Sequence, residues 1–181
     1  MSSSGKQITL CLGGVRSGKS RFAQQLAERA GQVCFLATAQ RSDDEMRAKI
    51  ERHQQDRPSH WTTREEPLDL AGELQRADPK NLLLVDCLTV FVSNLLLQDE
   101  TGAGAASQID AFCEALLDTQ SSVVLVSNEV GSGVVPPYPL GRRYRDILGE
   151  LNQRVAALAD NVVLMVAGLP LMLKGKLEHV A

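Results

Sequence analysis

Five short apolar runs punctuate the chain, at residues 7–12, 33–37, 82–86, 123–127 and 162–167. Each is nearly continuous in its hydrophobicity rather than alternating, the pattern of strands covered on both faces of a parallel sheet. Segments of helical period lie between them. Residues 20–30 set Phe22, Ala23, Leu26, Ala27 and Ala30 along one side as a single apolar stripe. Residues 42–57 open on Ser42-Asp43-Asp44-Glu45, a capping box, and are stopped by Pro58. Residues 88–97, 107–119 and 140–159 complete the predicted helices, while the Gly/Ala-rich stretch 99–107 reads as a flexible surface loop. Strands alternating with helices predict an α/β domain with a mainly parallel sheet, whose ligands bind beyond the carboxyl ends of the strands. Thr38, Gln40, Asp86, Asn128 and Glu129 follow those strands and are the first polar residues to ask about.

A length of 181 residues suits one domain with a single sizeable core, with residues 1–6 and 175–181 as flexible ends. A net charge of −3 argues against a nucleic-acid partner, which calls for a basic excess. No apolar run approaches the roughly 18 residues of a spanning helix, and the N-terminus lacks an export signal, so the expected location is cytoplasmic. The four cysteines, Cys11, Cys34, Cys87 and Cys113, are far apart and form no C-x-x-C pair, which leaves them as small core hydrophobes.

Chemistry enters with Gly13-Gly14-Val15-Arg16-Ser17-Gly18-Lys19-Ser20, a P-loop placed where it must be, after a strand and opening a helix. Its glycines let successive backbone N–H groups turn inward on phosphate oxygens, and the helix adds its positive end. Lys19 is expected to reach the β- and γ-phosphates, and the Ser20 hydroxyl to ligate Mg2+. Asp86, closing the run Leu82-Leu83-Leu84-Val85-Asp86, is the expected second metal ligand, although an Asp in this place also commonly just ends a strand. The chain has three histidines: His53, His60 and His179. Met46, Ile50 and His53 share one helical face, so His53 is either an ordinary last-turn residue or a phosphorus-attacking nucleophile.

Several separate blocks carry a resemblance to a known family. They are the P-loop with Arg21, Ala37-Thr38-Ala39-Gln40, Asp43-Asp44-Glu45-Met46, Ile50-Glu51-Arg52-His53, Arg57-Pro58-Ser59-His60-Trp61 and Val85-Asp86-Cys87-Leu88-Thr89 with Asn94-Leu95. The most distinctive is Ser127-Asn128-Glu129-Val130-Gly131-Ser132-Gly133-Val134-Val135-Pro136, continued by Arg143-Tyr144-Arg145-Asp146 and Asn152-Gln153-Arg154. From about residue 7 to residue 174 the chain resembles the bifunctional adenosylcobinamide kinase/adenosylcobinamide-phosphate guanylyltransferases of cobalamin biosynthesis.

The resemblance implies a three-layer, P-loop NTPase-like α/β fold and two reactions. Adenosylcobinamide is phosphorylated with ATP or GTP, and GMP is then moved from GTP onto that phosphate through a GMP–histidine intermediate. It places His53 in the nucleophile's role, with His60 as fallback. It adds nucleotide contacts from Thr38, Ala39, Gln40, Gln54, Gln55, Asp56, Arg57, Glu65 and Asp86, and a homo-oligomer, expected to be a trimer. Val15 departs from the family's usual Ala, and Gln54 from a frequent basic residue. The loop 131–139 and Arg142, Arg143, Tyr144 and Arg145 are candidates to line the corrinoid site, the arginines equally a solvated helix face or a subunit contact. Two rival readings remain in view: a P-loop small-molecule kinase with a single activity, and a nucleotide-dependent switch that acts on a partner.

Overall fold

The computed structural model describes residues 5–39 and 58–176. Its strands are β1 (Ile8–Gly13), β2 (Val33–Ala37), β3 (Thr62–Glu65), β4 (Leu82–Asp86), β5 (Val123–Asn128), β6 (Asn161–Val166) and β7 (Leu169–Lys174). Its helices are α1 (Lys19–Ala27), α2 (Leu70–Gln75), α3 (Leu88–Gln98), α4 (Ala103–Asp118) and α5 (Pro139–Leu158). The five apolar runs all became strands, with ends within one residue of those the hydrophobicity sets. The helix expected over residues 42–57 lies outside the described residues.

The strands form one sheet in the order β3-β2-β4-β5-β1-β6-β7, parallel throughout except for the antiparallel β7. Helix α1 covers one face, where Phe22, Ala23 and Ala27 pack on Cys11, Phe35, Leu84 and Val126. Helices α2 to α5 cover the other, where Leu74, Phe91, Phe112, Leu148 and Leu151 pack on Leu10, Leu36, Val85 and Leu125. The fold is thus the three-layer α/β arrangement. Apolar residues at alternate strand positions serve alternate faces, which explains the uninterrupted hydrophobicity of the inner strands.

Two strands and a helix had no counterpart in the apolar pattern. β3 (Thr-Thr-Arg-Glu) is exposed at all four positions and is held by main-chain pairing to β2. β7 is largely exposed and pairs only with β6, through a two-residue turn in which Ala167 and Gly168 have φ of 51° and 82°. Positive φ at both central residues is the twist-compatible hairpin turn. α2 is a short helix started by the Asp69 carboxylate, which accepts from the Gly72 N–H at 2.8 Å.

The stretch 99–107 corrects the sequence expectation of a flexible loop. Residues 103–107 are the first turns of α4, and Ala105 is buried. The Asp99 carboxylate accepts from the N–H groups of Thr101 and Gly104 and from the Thr101 hydroxyl, and these bonds hold its pKa below the ordinary value. Near the chain ends, Lys6 donates to the Leu117 carbonyl, and the Lys176 N–H donates to Asn161 Oδ1. No helix among the described residues is long and apolar enough to cross a membrane.

Candidate active site

In a parallel sheet the strands' carboxyl ends share one edge, and here that edge carries Gly13, Ala37, Glu65, Asp86 and Asn128. Beyond Gly13 the chain curls through Gly14, Val15 and Arg16, all exposed, before α1 begins. A Cβ on Gly13 would collide with Ser17 Oγ and come within 2.8 Å of the Met165 carbonyl oxygen, so only glycine lets the loop turn here. Gly18 stands at the N-cap of α1 with φ 96°, a left-handed conformation that costs an L side chain about 1–2 kcal/mol. No side chain caps that helix, which leaves its first N–H groups for an anion. Lys19 folds back so that Nζ donates to the Gly14 carbonyl at 3.1 Å. Ser17 Oγ is buried and has no hydrogen-bond partner among the described residues, as an oxygen facing a phosphate cradle would be. Val15 projects outward, 82% exposed, so its exchange for the family's usual Ala leaves the cradle unaffected. From outside, the Ser17 carbonyl accepts from the Gly168 N–H at 3.0 Å, so the β6–β7 turn braces the loop.

Asp86 lies two strands from the P-loop strand, because β5 is inserted between β4 and β1. At a strand spacing of about 4.8 Å, its backbone is laterally about 10 Å from Gly13. Its charge is nonetheless felt in the P-loop strand. Burial, and secondarily Asp86, push the Cys11 thiol up to about 12, and the same two causes raise Cys87. Ser20 and Asp86 offer a hydroxyl and a carboxylate, hard oxygen donors of the kind Mg2+ takes alongside substrate phosphates. Among the described residues no cluster of three or more His, Cys, Asp or Glu would hold a metal unaided, so these two fit the ion only with nucleotide oxygens completing its shell.

Thr38 is held in a hydrogen-bond network at the ends of β2 and β4. It is fully buried, and its hydroxyl donates to the Cys87 carbonyl and accepts from the Cys87 N–H, both at 2.8 Å. Its own N–H donates to the Asp86 carbonyl, and its carbonyl accepts from Asn94 Nδ2 at 2.9 Å. Every polar atom of Thr38 is thereby engaged in tying β2 to the end of β4. Asn94 also donates to the Pro67 carbonyl at 3.1 Å, fastening the segment after β3. Ala39 follows Thr38 at the same edge, half-buried. Glu65 is paired with Ala37, as is Asp86, so all three stand level, but Glu65 is about 19 Å of sheet away from the P-loop strand.

The end of β5 is held by a second polar group. Asn128 pairs with Gly13, and the Glu129 N–H donates to the Gly13 carbonyl at 3.2 Å. The Asn128 N–H donates to Thr89 Oγ1 at 2.9 Å, and the Tyr144 hydroxyl to the Thr89 carbonyl at 3.3 Å. Burial, then Cys87, raises the Tyr144 phenol to about 12, so it stays a neutral donor. From α5, Asn152 donates to the Asn128 carbonyl at 3.0 Å and to Glu129 Oε1 at 3.4 Å, while Ser127 Oγ donates to Asn152 Oδ1 at 2.6 Å. Sequence reasoning gave Asn94 and Asn152 no role. The available signal was a lone Asn on an otherwise apolar helical face.

Comparison with known proteins bears on what such a site does. The family model for "Cobinamide kinase / cobinamide phosphate guanyltransferase" matches residues 9–173. The bifunctional adenosylcobalamin biosynthesis protein CobP of Pseudomonas aeruginosa is 47% identical over 169 residues, covering 92% of this chain and 97% of its own. The corresponding CobU of Escherichia coli is 44% identical, covering 92% and 99%. The chain belongs to this family. Solved structures add the fold alone. The RadB recombinase (TM-score 0.51, 16% identity, covering 88% of this chain and 74% of its own) and the flagellar accessory protein FlaH of Methanocaldococcus jannaschii (0.51, 12%, 95% and 80%) are similar in architecture.

In this chain Gln40, His53, Gln54, Gln55, Asp56 and Arg57 lie outside the described residues, and so does His179. His60 is exposed and precedes β3, at the amino edge of the sheet, opposite the phosphate cradle. That placement is unsuited to a fallback nucleophile. The α5 arginines have local partners. Arg142 donates to the Pro136 and Pro137 carbonyls at 3.1 and 2.8 Å, Arg143 to the Glu100 carbonyl, and Arg145 pairs with Asp146 at 3.3 Å.

Proposed function

We propose that this chain carries out both transfers of its family at the carboxyl edge of its sheet, phosphorylating adenosylcobinamide and then guanylylating the product. The observation that supports this best is the complete phosphate cradle, with its two fitted glycines and uncapped helix, in a chain matching the family from residue 9 to residue 173.

In the kinase step the hydroxyl oxygen of the aminopropanol arm forms a bond to the γ-phosphorus. The bond from that phosphorus to the bridging oxygen breaks, and nucleoside diphosphate leaves. Loop amides and Lys19 hold the triphosphate and stabilise its equatorial charge. Ser20 and Asp86 would hold Mg2+, which when bound neutralises charge on the phosphate oxygens. In the guanylyl step a neutral His53 nitrogen forms a bond to the α-phosphorus of GTP, and pyrophosphate departs with the electron pair. An oxygen of cobinamide phosphate then takes the GMP, and the histidine is released. Thr38 serves by fixing the backbone that follows Asp86, while Ala39, Gln40, Gln54, Gln55, Asp56, Arg57 and Glu65 contribute to nucleotide binding. The protein works in the cytoplasm as a homo-oligomer, with the exposed Leu169, Leu171 and Leu173 of β7 favouring self-association.

The deciding experiment uses GTP radiolabelled at the α-phosphorus. Denaturation after incubation with Mg2+ leaves an acid-labile, alkali-stable label on the protein, absent from His53→Ala. A wild-type protein that takes no label is not a guanylyltransferase of this kind.

A further inference from the structure

One carboxylate at this edge is left without a task in either transfer. Glu129 lies one residue past Asn128, the partner of Gly13, and its N–H is bonded to the Gly13 carbonyl at 3.2 Å, so its backbone is fixed to the cradle itself. β5 runs between the P-loop strand and the strand of Asp86, which sets Glu129 between the two halves of the phosphate site. The side chain is exposed, but the groups behind it are not: Asn152 is 5% exposed and Ser127 0%.

The orientation of the Asn152 amide is fixed by its partners. The Asn128 carbonyl can only accept, so Nδ2 must face it, at 3.0 Å, and Oδ1 faces the Ser127 hydroxyl at 2.6 Å. The same Nδ2 reaches Glu129 Oε1 at 3.4 Å, a long contact of the sort that closes when substrate arrives. A buried amide, itself held from behind, thus donates to one oxygen of an exposed carboxylate, and the other has no partner among the described residues. That is the relation between a base and the group that orients it.

We propose that Glu129 is the general base of the kinase step, with Asn152 as its positioning residue. The proposal rests on the two-transfer reading above and deepens it. As the substrate hydroxyl oxygen bonds to the γ-phosphorus, its proton passes to the free oxygen of Glu129, and the electron pair of the broken bridging bond leaves with the nucleoside diphosphate. The guanylyl step has no such requirement. Its nucleophiles are a neutral imidazole nitrogen and a phosphate oxyanion, and neither has a proton to surrender in attacking phosphorus. The two activities should therefore separate at Glu129.

The test compares full-length wild type with Glu129→Gln in two assays: phosphorylation of cobinamide by ATP, and guanylylation of cobinamide phosphate supplied directly with GTP. The expected result is a loss of about 10²- to 10⁴-fold in kcat of phosphorylation with KM for ATP nearly unchanged. Labelling by GTP and guanylylation should stay within about threefold of wild type, inside the scatter of mutations that remove no transition-state contact. Parallel loss of both activities overturns the proposal, since a metal or structural role would strike both, and so does a kinase rate that survives. Asn152→Ala should lower the kinase kcat and add nothing further in the Glu129→Gln background. Independent, additive losses would remove Asn152 from its role, and Asn152→Ser serves the same comparison if the alanine variant does not fold. A wild type that phosphorylates no cobinamide overturns the underlying reading and this proposal with it, whereas an active wild type with an active Glu129→Gln sinks the proposal alone.

Discussion

The Thr38 hydroxyl clasps both main-chain polar groups of Cys87, donating to its carbonyl and accepting from its N–H, each at 2.8 Å. Because Cys87 follows Asp86 directly, this clasp fixes the main chain immediately after Asp86. Thr38→Val keeps the shape and removes the hydroxyl, leaving the Cys87 N–H without this partner, while the Cys87 carbonyl keeps its bond from the Phe91 N–H at 3.2 Å. A buried polar group so abandoned costs roughly 1–3 kcal/mol, visible as a lower denaturant midpoint. Thr38→Ser should restore most of it. The kinase step of Thr38→Val should also need more Mg2+ for half-maximal rate, whereas an unchanged Mg2+ dependence would detach Thr38 from the metal site.

Gly13→Ala places a methyl group against Ser17 Oγ and the Met165 carbonyl, both within the wall of the loop. Overpacking of this kind costs typically about 1–3 kcal/mol. Relief by displacing Ser17 would open the cradle, so nucleotide affinity should fall more than stability does. Titration calorimetry with GTP, alongside thermal unfolding, separates the two effects.

Lys19→Ala removes the P-loop lysine that the proposed mechanism assigns to the terminal phosphates. Deleting a single donor to developing charge typically costs about 10²- to 10³-fold in rate. The loss should be largest in the phosphorylation rate, and turnover at the wild-type rate would contradict the assignment of the cradle.

Glu73 predicts a pH effect remote from catalysis. It is buried on α2, and burial alone would raise its pKa, but hydrogen bonds from Arg76 at 3.0 Å and Arg64 at 2.9 Å prevail and hold it below the ordinary value. A carboxyl with a lowered folded-state pKa contributes stability that is present above its unfolded value, about 4.3, and is lost as pH falls through the folded one. Unfolding free energy should therefore decline on acidification below about pH 4.3. Glu73→Gln should show a shallower decline across that window, and an identical slope would mean that the pair contributes nothing.

The legible parts of this molecule were those written in contiguous residues. The inner strands announce themselves because both faces are covered, and the P-loop because its chemistry needs glycines, a lysine and a hydroxyl at fixed spacing. Thr62–Glu65 is polar and exposed throughout, so no apolar side-chain pattern could mark it as a strand. Gly102 and its neighbours look like a loop until Asp99 is seen to accept from Thr101 and Gly104. The insertion of β5 between the cradle and Asp86 is a matter of strand order, which no local pattern encodes. Asn94 and Asn152 escaped for a related reason. Their targets include the carbonyls of Thr38, Pro67 and Asn128, and a carbonyl has no residue identity for a sequence to display.

The brace between Gly168 and Ser17 makes the loop mechanically continuous with the open edge of β7. A ligand of the cradle and a molecule annealed to that edge would be only a hairpin turn apart, each favouring whichever tilt of the turn suits it. Thermodynamic reciprocity then requires that any tightening of GTP caused by association be repaid, factor for factor, as tighter association caused by GTP. Were copies of the chain to associate along that edge, the degree of assembly would act as a dial on nucleotide affinity.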